Sequence, residues 1–365
     1  MTSARQNPRV GHDDVSRRLA ELTLALVDVP SVSRSEQAAM ALVQDELTLE
    51  PAEATGDILF ATTPRRDGRD LILFAGHVDT VPPQSNLPGR IDGGAVVGLG
   101  ASDMKGGVGV MLELASWSRS ADLEVDLGFV FFTREELPAE ESPVPDFLAR
   151  SAEARSAALA IVLEPTDNEI HAGCLGNINA RFTFHGTSAH SARPWTGENA
   201  IHRAAAALAP LASAEPNDVE VQGLVFREVV SVVAIEGGIA DNVVPDRCTA
   251  RLNYRYAPGR SRDEAEQAIR ALAGDAEVEI LGNAPPAEVV VDRPLVRRLE
   301  AAGPFDVRPK QAWTPVAQFA EAGLDAINLG PGATRFAHKA DERIEIAELV
   351  RTYDALRRFV SSGSV

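Results

Sequence analysis

The chain has 365 residues, 45% of them hydrophobic, which is enough for two domains with a core each. A formal net charge of -18, from 53 acidic against 35 basic residues, repels nucleic acid phosphates and offers no basic stripe for them. Two cysteines, Cys174 and Cys248, are too few for a disulfide framework and read as inert packing in a reducing cytosol. The stretch from Met1 to Asp14 is polar, without the apolar core of a signal peptide, and no segment reaches the roughly 18 apolar residues that a membrane span needs. These features predict a soluble cytoplasmic protein with no nucleic acid or membrane partner.

In chain order, Ser33-Arg34-Ser35-Glu36 reads as a capping box that opens a helix carrying Ala39, Met40, Leu42 and Val43. Strand-like runs ending near Phe60, Ala75, Thr133 and Leu163 alternate with helical segments, which predicts a sheet covered on both faces. The run Leu71 to Ala75 leads directly into His77-Val78-Asp79. Residues two apart in an extended chain point to the same side, so Asp79 can orient the His77 imidazole while its other nitrogen binds a metal. A lone His-x-Asp is more often structural, and here its downstream company changes the odds. Asp103 lies in Gly100-Ala101-Ser102-Asp103-Met104-Lys105-Gly106-Gly107, just before a helical segment from Val108 to Ala115. Glu135 and Glu136 follow the apolar run Leu127 to Thr133, and Glu164 ends the run Leu159 to Leu163. Any one of these acids is as readily an N-cap or a solvated loop residue. Together they converge, because ligands in open α/β sheets gather outside the carboxyl ends of the strands.

After about Gly176 the rhythm changes. A strand from Asn179 to His185, a helix from Ala200 to Leu211, strands from Val229 to Ile235 and Thr249 to Tyr256, a helix opened by the capping box Ser261-Arg262-Asp263-Glu264 and a strand near Glu277 to Leu281 give the ferredoxin-like order β-α-β-β-α-β. Ala284-Pro285-Pro286 returns the chain to the first domain, which a helix bearing Ile346, Leu349, Val350, Tyr353 and Leu356 completes. His338 lies on this returning part, His185 reads as strand-borne packing, and His202 as part of a helix surface.

Five ordered motifs resemble the dinuclear zinc aminoacylase and exopeptidase family, which includes succinyl-diaminopimelate desuccinylases, acetylornithine deacetylases and glutamate carboxypeptidases. They are His77-Val78-Asp79, Asp103-Met104-Lys105-Gly106-Gly107, Glu135-Glu136, Glu164-Pro165, and His338 after Gly330-Pro331-Gly332. Gly173-Cys174-Leu175-Gly176, Ala189-His190-Ser191-Ala192-Arg193-Pro194-Trp195 and Asn242-Val243-Val244-Pro245-Asp246 look closest to the actinobacterial desuccinylases. The resemblance implies an α/β, zinc-exopeptidase-like catalytic domain with a mixed sheet covered by helices, residues 1–176 and 287–365. A ferredoxin-like α+β dimerisation (lid) domain, residues 177–286, would interrupt it. It implies two zinc ions per subunit, replaceable by cobalt, with His77 and Glu164 on one, Glu136 and His338 on the other, and Asp103 bridging. Glu135 would be the general base and Asp79 the orienting acid. His190 would stabilise the oxyanion in the partner subunit of a homodimer, and Asn242 and Arg255 would hold a substrate carboxylate. The implied reaction is hydrolysis of a small N-acyl amino acid, N-succinyl-LL-2,6-diaminopimelate. Alternatives are an acetylornithine-type deacetylase, a dipeptidase-like exopeptidase, or a non-catalytic binding protein on the same scaffold. Cys174-Leu175 depart from the proteobacterial desuccinylases, and Pro315 departs from the actinobacterial ones; both bear on the acyl group and not on the metal ligands.

Overall fold

The computed structural model describes residues 12–361, so the polar N-terminal stretch lies, up to residue 11, outside the described residues. The chain divides into two compact units. The first runs to His171 and resumes at Val290–Arg308 and from Gln318 onward. Six strands of its main sheet lie wholly within it, in the spatial order Pro51–Ala54, Ile58–Thr62, Asp126–Phe132, Leu71–His77, Leu159–Val162 and Ala326–Asn328. Leu71–His77 is buried at every residue and pairs in parallel with Asp126–Phe132 on one side and Leu159–Val162 on the other. A central strand with both faces covered has no solvent side to supply, which is why its sequence is a continuous apolar run. Helices His12–Asp28, Gly106–Ser118 and Ile346–Val360 pack on one another. They bury Leu19, Leu26, Leu112, Leu349 and Leu356 in one core with Phe74 and Phe129. Because the three parallel strands share a direction, the residues following His77, Phe132 and Val162 emerge at one edge of the sheet.

The helix after Ser33 forms, but without the expected capping box. It spans Gln37–Glu46 with Glu36 at its N-cap, and no side chain caps it. The Ser33 hydroxyl donates instead to Asp79 Oδ2 at 2.8 Å, and Glu36 accepts from the Arg34 N–H at 2.8 Å. Arg34 holds φ 74, outside the helical region, so no helix can start directly after Ser33.

The second unit comprises Ala172–Val289 and Pro309–Ala317. Its antiparallel sheet has five strands in the order Asn217–Val221, Leu224–Gly237, Arg247–Tyr256, Gly176–His185 and Glu277–Ala284. Arg247–Tyr256 alternates strictly, so Cys248, Ala250, Leu252, Tyr254 and Tyr256 face inward to a core that includes Ala204 and Ile269 of the helices Ala200–Leu208 and Arg262–Ala271. Both cysteines are buried and unpaired. The capping box at Ser261 and Glu264 is present in both directions. Three features differ from expectation. The helix begun at Ala200 ends at Leu208, just before Pro210, and continues as a 3₁₀ turn. Asn217–Val221 is an unanticipated strand, closed onto Leu224–Glu228 by Gln222 and Gly223 at φ 49 and 81, as a two-residue hairpin turn requires. His185 is exposed rather than packed, because it falls on the outward phase of its strand, 3.3 Å from Glu277 Oε2. Among the described residues, nothing pairs with the second edge of Val229–Gly237, where Val232, Val233 and Ile235 are 39%, 59% and 53% exposed.

Candidate metal centre

His77 is the last residue of its buried strand and is itself fully buried. Its Nδ1 lies 3.1 Å from the Asp79 carbonyl oxygen and 3.4 Å from Asp79 Oδ1, so Asp79 fixes the ring and leaves Nε2 facing outward along the sheet edge. Asp79 does more than orient that ring. Its carboxylate also accepts the backbone N–H groups of Glu135 at 3.0 Å and Glu136 at 3.1 Å. Arg134, between the strand end and these glutamates, holds φ 62, a turn that non-glycine residues adopt only when their surroundings enforce it. Two glycines set the remaining approach. A Cβ at Gly107 would sit 2.5 Å from the Leu163 carbonyl oxygen, and one at Gly330 would sit 2.4 Å from that of Glu164. Only glycine allows these segments to close on the strand end that carries Glu164.

Nε2 of His77 lies 3.3 Å from Asp103 Oδ1 and 3.8 Å from Glu164 Oε1. Nε2 of His338 lies 2.9 Å from Glu136 Oε1 and 3.4 Å from Asp103 Oδ2. The two oxygens of Asp103 therefore face two different sets of partners. His77, Asp103 and Glu164 form one grouping of candidate ligand atoms within 4.8 Å of one another, and Asp103, Glu136 and His338 form a second. A third grouping, His77 with Glu135 and Glu136, competes for the same side chains, and the division of Asp103 favours the first two. Lys105, on the same loop as Asp103, is buried and donates Nζ to the Val29 carbonyl at 3.1 Å. Burial pulls its ammonium down to about 8, with Glu342, Asp28 and Asp79 opposing.

The carboxylates and imidazoles of the cluster shift one another strongly. Burial, then the charges of Glu164, Glu136 and Asp103, drive the Glu135 carboxyl well above its usual value, with only His77 acting against them. Burial disfavours the imidazolium of His77, yet Asp103 and Asp79 outweigh it and raise that ring. Asp103 and Glu136 raise His338 to about 11. A buried cluster of carboxylates around two imidazoles needs positive charge, and these are the donor types that hold zinc at about 2.0–2.2 Å.

The remaining site residues expected from the sequence lie in the second unit. His190 is exposed and pairs with Val243, its Nδ1 accepting from the Ala192 N–H at 3.1 Å. Asn242 adjoins it, accepting the Ser191 N–H at 2.9 Å. Arg255 is half-buried on the open side of the sheet, and its Nε donates to Asn253 Oδ1 at 2.9 Å. Sequence reasoning missed Ser33 and Glu342. Ser33 read as a cap, and Glu342 carried no signal except its place four residues after His338.

The family model for peptidase family M20/M25/M40 matches residues 73–362. A putative succinyl-diaminopimelate desuccinylase of Mycobacterium tuberculosis is 38% identical over 351 residues, covering 93% of this chain and 97% of the relative. A succinyl-diaminopimelate desuccinylase of Corynebacterium glutamicum is 33% identical, with 93% and 95% covered. Among solved structures, a tripeptidase of Staphylococcus aureus superposes with a TM-score of 0.77 at 18% identity, covering 94% of this chain and 97% of that one. A dinuclear metal-binding M20 peptidase of Bacillus subtilis superposes at 0.71 with 14% identity, covering 95% and 98%. The structural likenesses support the fold alone, and the sequence relationships carry the rest: this chain belongs to peptidase family M20/M25/M40 and is a metal-dependent amidohydrolase.

Proposed function

We propose that the protein removes succinate from N-succinyl-LL-2,6-diaminopimelate, yielding LL-2,6-diaminopimelate for lysine and cell-wall precursor synthesis in the cytoplasm, with two zinc ions per subunit. The observation that carries the reading is the division of Asp103 between the His77 and Glu164 set and the Glu136 and His338 set. The substrate rests on the two relatives of that named activity. In this reading His77, Glu164 and one oxygen of Asp103 would hold one ion, and Glu136, His338 and the other oxygen of Asp103 the second, with cobalt able to replace zinc. Ions held there would supply Lewis acidity for the amide carbonyl and for the attacking water. Glu135, which lies outside these two ligand sets, would take the proton of that water and return it to the departing amine. Asp79 keeps both His77 and the base in register through the bonds described above. We assign His190 of each chain as donor to the oxyanion that develops in the other subunit of the homodimer. Arg255, with Asn242, is assigned to a substrate carboxylate, for which a guanidinium fork is suited.

Residues 1–176 and 287–365 are proposed as the catalytic domain, and residues 177–286 as the dimerisation domain of a homodimer. The unpaired edge of Val229–Gly237 with its exposed valines and isoleucine supports the second assignment, since such an edge invites a further strand. The deciding experiment compares zinc-loaded protein on N-succinyl-LL-2,6-diaminopimelate, N-acetylornithine and a dipeptide. Fastest hydrolysis of the succinyl substrate is expected. A preference for acetylornithine or for the dipeptide would overturn the substrate, and no hydrolysis with metal bound would favour a binding protein.

A further inference from the structure

The carboxylate of Glu342 lies outside all three ligand groupings, is 1% exposed, and accepts three backbone amides of the loop that carries Asp103. Oε2 accepts from Gly100 at 2.9 Å; Oε1 accepts from Ser102 at 3.1 Å and from Asp103 itself at 3.0 Å. The Glu342 carbonyl also accepts the Gly98 N–H at 3.0 Å, and the next residues continue the contact as a strand, Arg343 pairing with Val97. Four residues earlier on the same segment stands His338. That side chain is half-exposed, so packing around the ring does little to fix it. Its placement depends on how the segment is anchored.

We infer that Glu342 is a positioning residue for the metal centre: by clamping the Gly100–Asp103 turn it orients the bridging carboxylate, and through the short tether to His338 it sets the second ion site. The inference rests on the two-ion reading above. An ionised glutamate suits this task because both of its oxygens then only accept. Glutamine offers one accepting oxygen, and its NH₂ must face at least one of the three amide N–H groups, whichever way the group is turned. The turn then shifts, and Asp103 shifts with it. Groups that orient ligands in this way typically contribute about 10–100-fold in metal affinity.

The test measures zinc affinity of the folded apoprotein by competition with a chromophoric chelator, together with the visible spectrum of the cobalt-loaded form. Glu342→Gln should weaken the more loosely held ion by about 10–100-fold and alter the cobalt spectrum, with the fold retained by circular dichroism. Glu342→Asp keeps the charge but withdraws both oxygens by one methylene, and should lose less. Glu228→Gln, which removes a buried amide-accepting carboxylate from the other unit, should lower the melting temperature without changing zinc affinity. Two ions bound by Glu342→Gln with parental affinity and an unchanged cobalt spectrum would overturn the inference. If the glutamine variant does not fold, unchanged affinity in Glu342→Asp overturns it, and failure of both to fold assigns Glu342 to folding and overturns it equally. A parent protein that binds no metal would instead sink the two-ion reading itself.

Discussion

The strands Leu71–His77 and Arg247–Tyr256 each run through the middle of a sheet and place polar residues in opposite ways. The first is buried throughout and delays its imidazole to the final position, where the sheet edge opens. The second alternates, with Arg247, Thr249, Arg251, Asn253 and Arg255 along one side. A polar group on an open face keeps its water and costs little, whereas one placed among buried strand ends is retained only with hydrogen-bond partners or a ligand. Position relative to burial, more than residue type, separates His77 from the polar residues of the second strand.

The sharpest way to test that contrast is at the strand ends. Glu135→Gln should lower turnover by about 10²–10⁴-fold while both metals stay bound, because it removes a proton carrier and no ligand. Glu136→Ala, its neighbour, should lose or weaken one metal. Turnover and metal content measured on the same preparations check both. A fully active Glu135→Gln variant would remove Glu135 from the chemistry.

Within the strands the contrast becomes one of stability. Phe74 is fully buried and stacks on Phe129 at 5.6 Å between ring centroids, so Phe74→Ala should cost about 3–5 kcal/mol. Thr249→Ala, on the outward phase of the second strand, should stay within about 0.5 kcal/mol. Urea midpoints of the two variants decide whether the two sheets differ as described.

The same contrast explains what could be read in advance. The acids at strand ends were legible because an apolar run of fixed length, followed by His, Asp or Glu, states both the burial and its end. The hairpin closed by Gln222 and Gly223 was not, since Asn217–Val221 offers only two valines, Val219 and Val221, to a period-two pattern. Two sequences of the form Ser-x-x-Glu had opposite fates. Ser261 caps its helix, while Ser33 bonds to Asp79, a residue 46 positions away that no local pattern announces. Glu342 was invisible for the same reason: its partners are backbone amides, which have no letter in the sequence.

A smaller effect is expected at Glu228, the buried carboxylate of the second unit. Burial pushes it up, but Arg260, the Ala257 N–H and Asn217 outweigh burial and hold it below its ordinary value. A carboxylate with a lowered folded pKa stabilises above its unfolded value, about 4.3, and that stability disappears as pH falls through the folded value. Glu228→Gln should therefore cost about 1–3 kcal/mol near neutrality, by leaving buried donors unsatisfied. The gap from the parent should shrink as pH drops below about 4.3. A gap independent of pH down to the acid transition would show that the charge of Glu228 contributes nothing.

The smallest effects belong on the open face, and there even the sign is informative. Arg181 stands directly across from Arg251 on one side and Glu279 on the other, with its guanidinium 2.5 Å from the Glu279 carboxylate. Arg181 and Glu279 are 38% and 57% exposed at the side chain, so their attraction contributes about 0–1 kcal/mol. Like charges directly opposed across strands destabilise by a similar amount, about 0.2–1 kcal/mol. Arg181→Ala removes both terms at once and should fall within about 0.5 kcal/mol of the parent. Glu279→Ala keeps the repulsion and loses the attraction, so it should be the least stable of the three single variants. Arg251→Ala does the reverse and should be the most stable. Raising the salt concentration should draw all three together, because exposed charges are screened over about 8–10 Å. If Arg181→Ala instead cost more than about 2 kcal/mol, the side of the sheet described here as open would have to be packed against something, and the contrast between the two strands would fail.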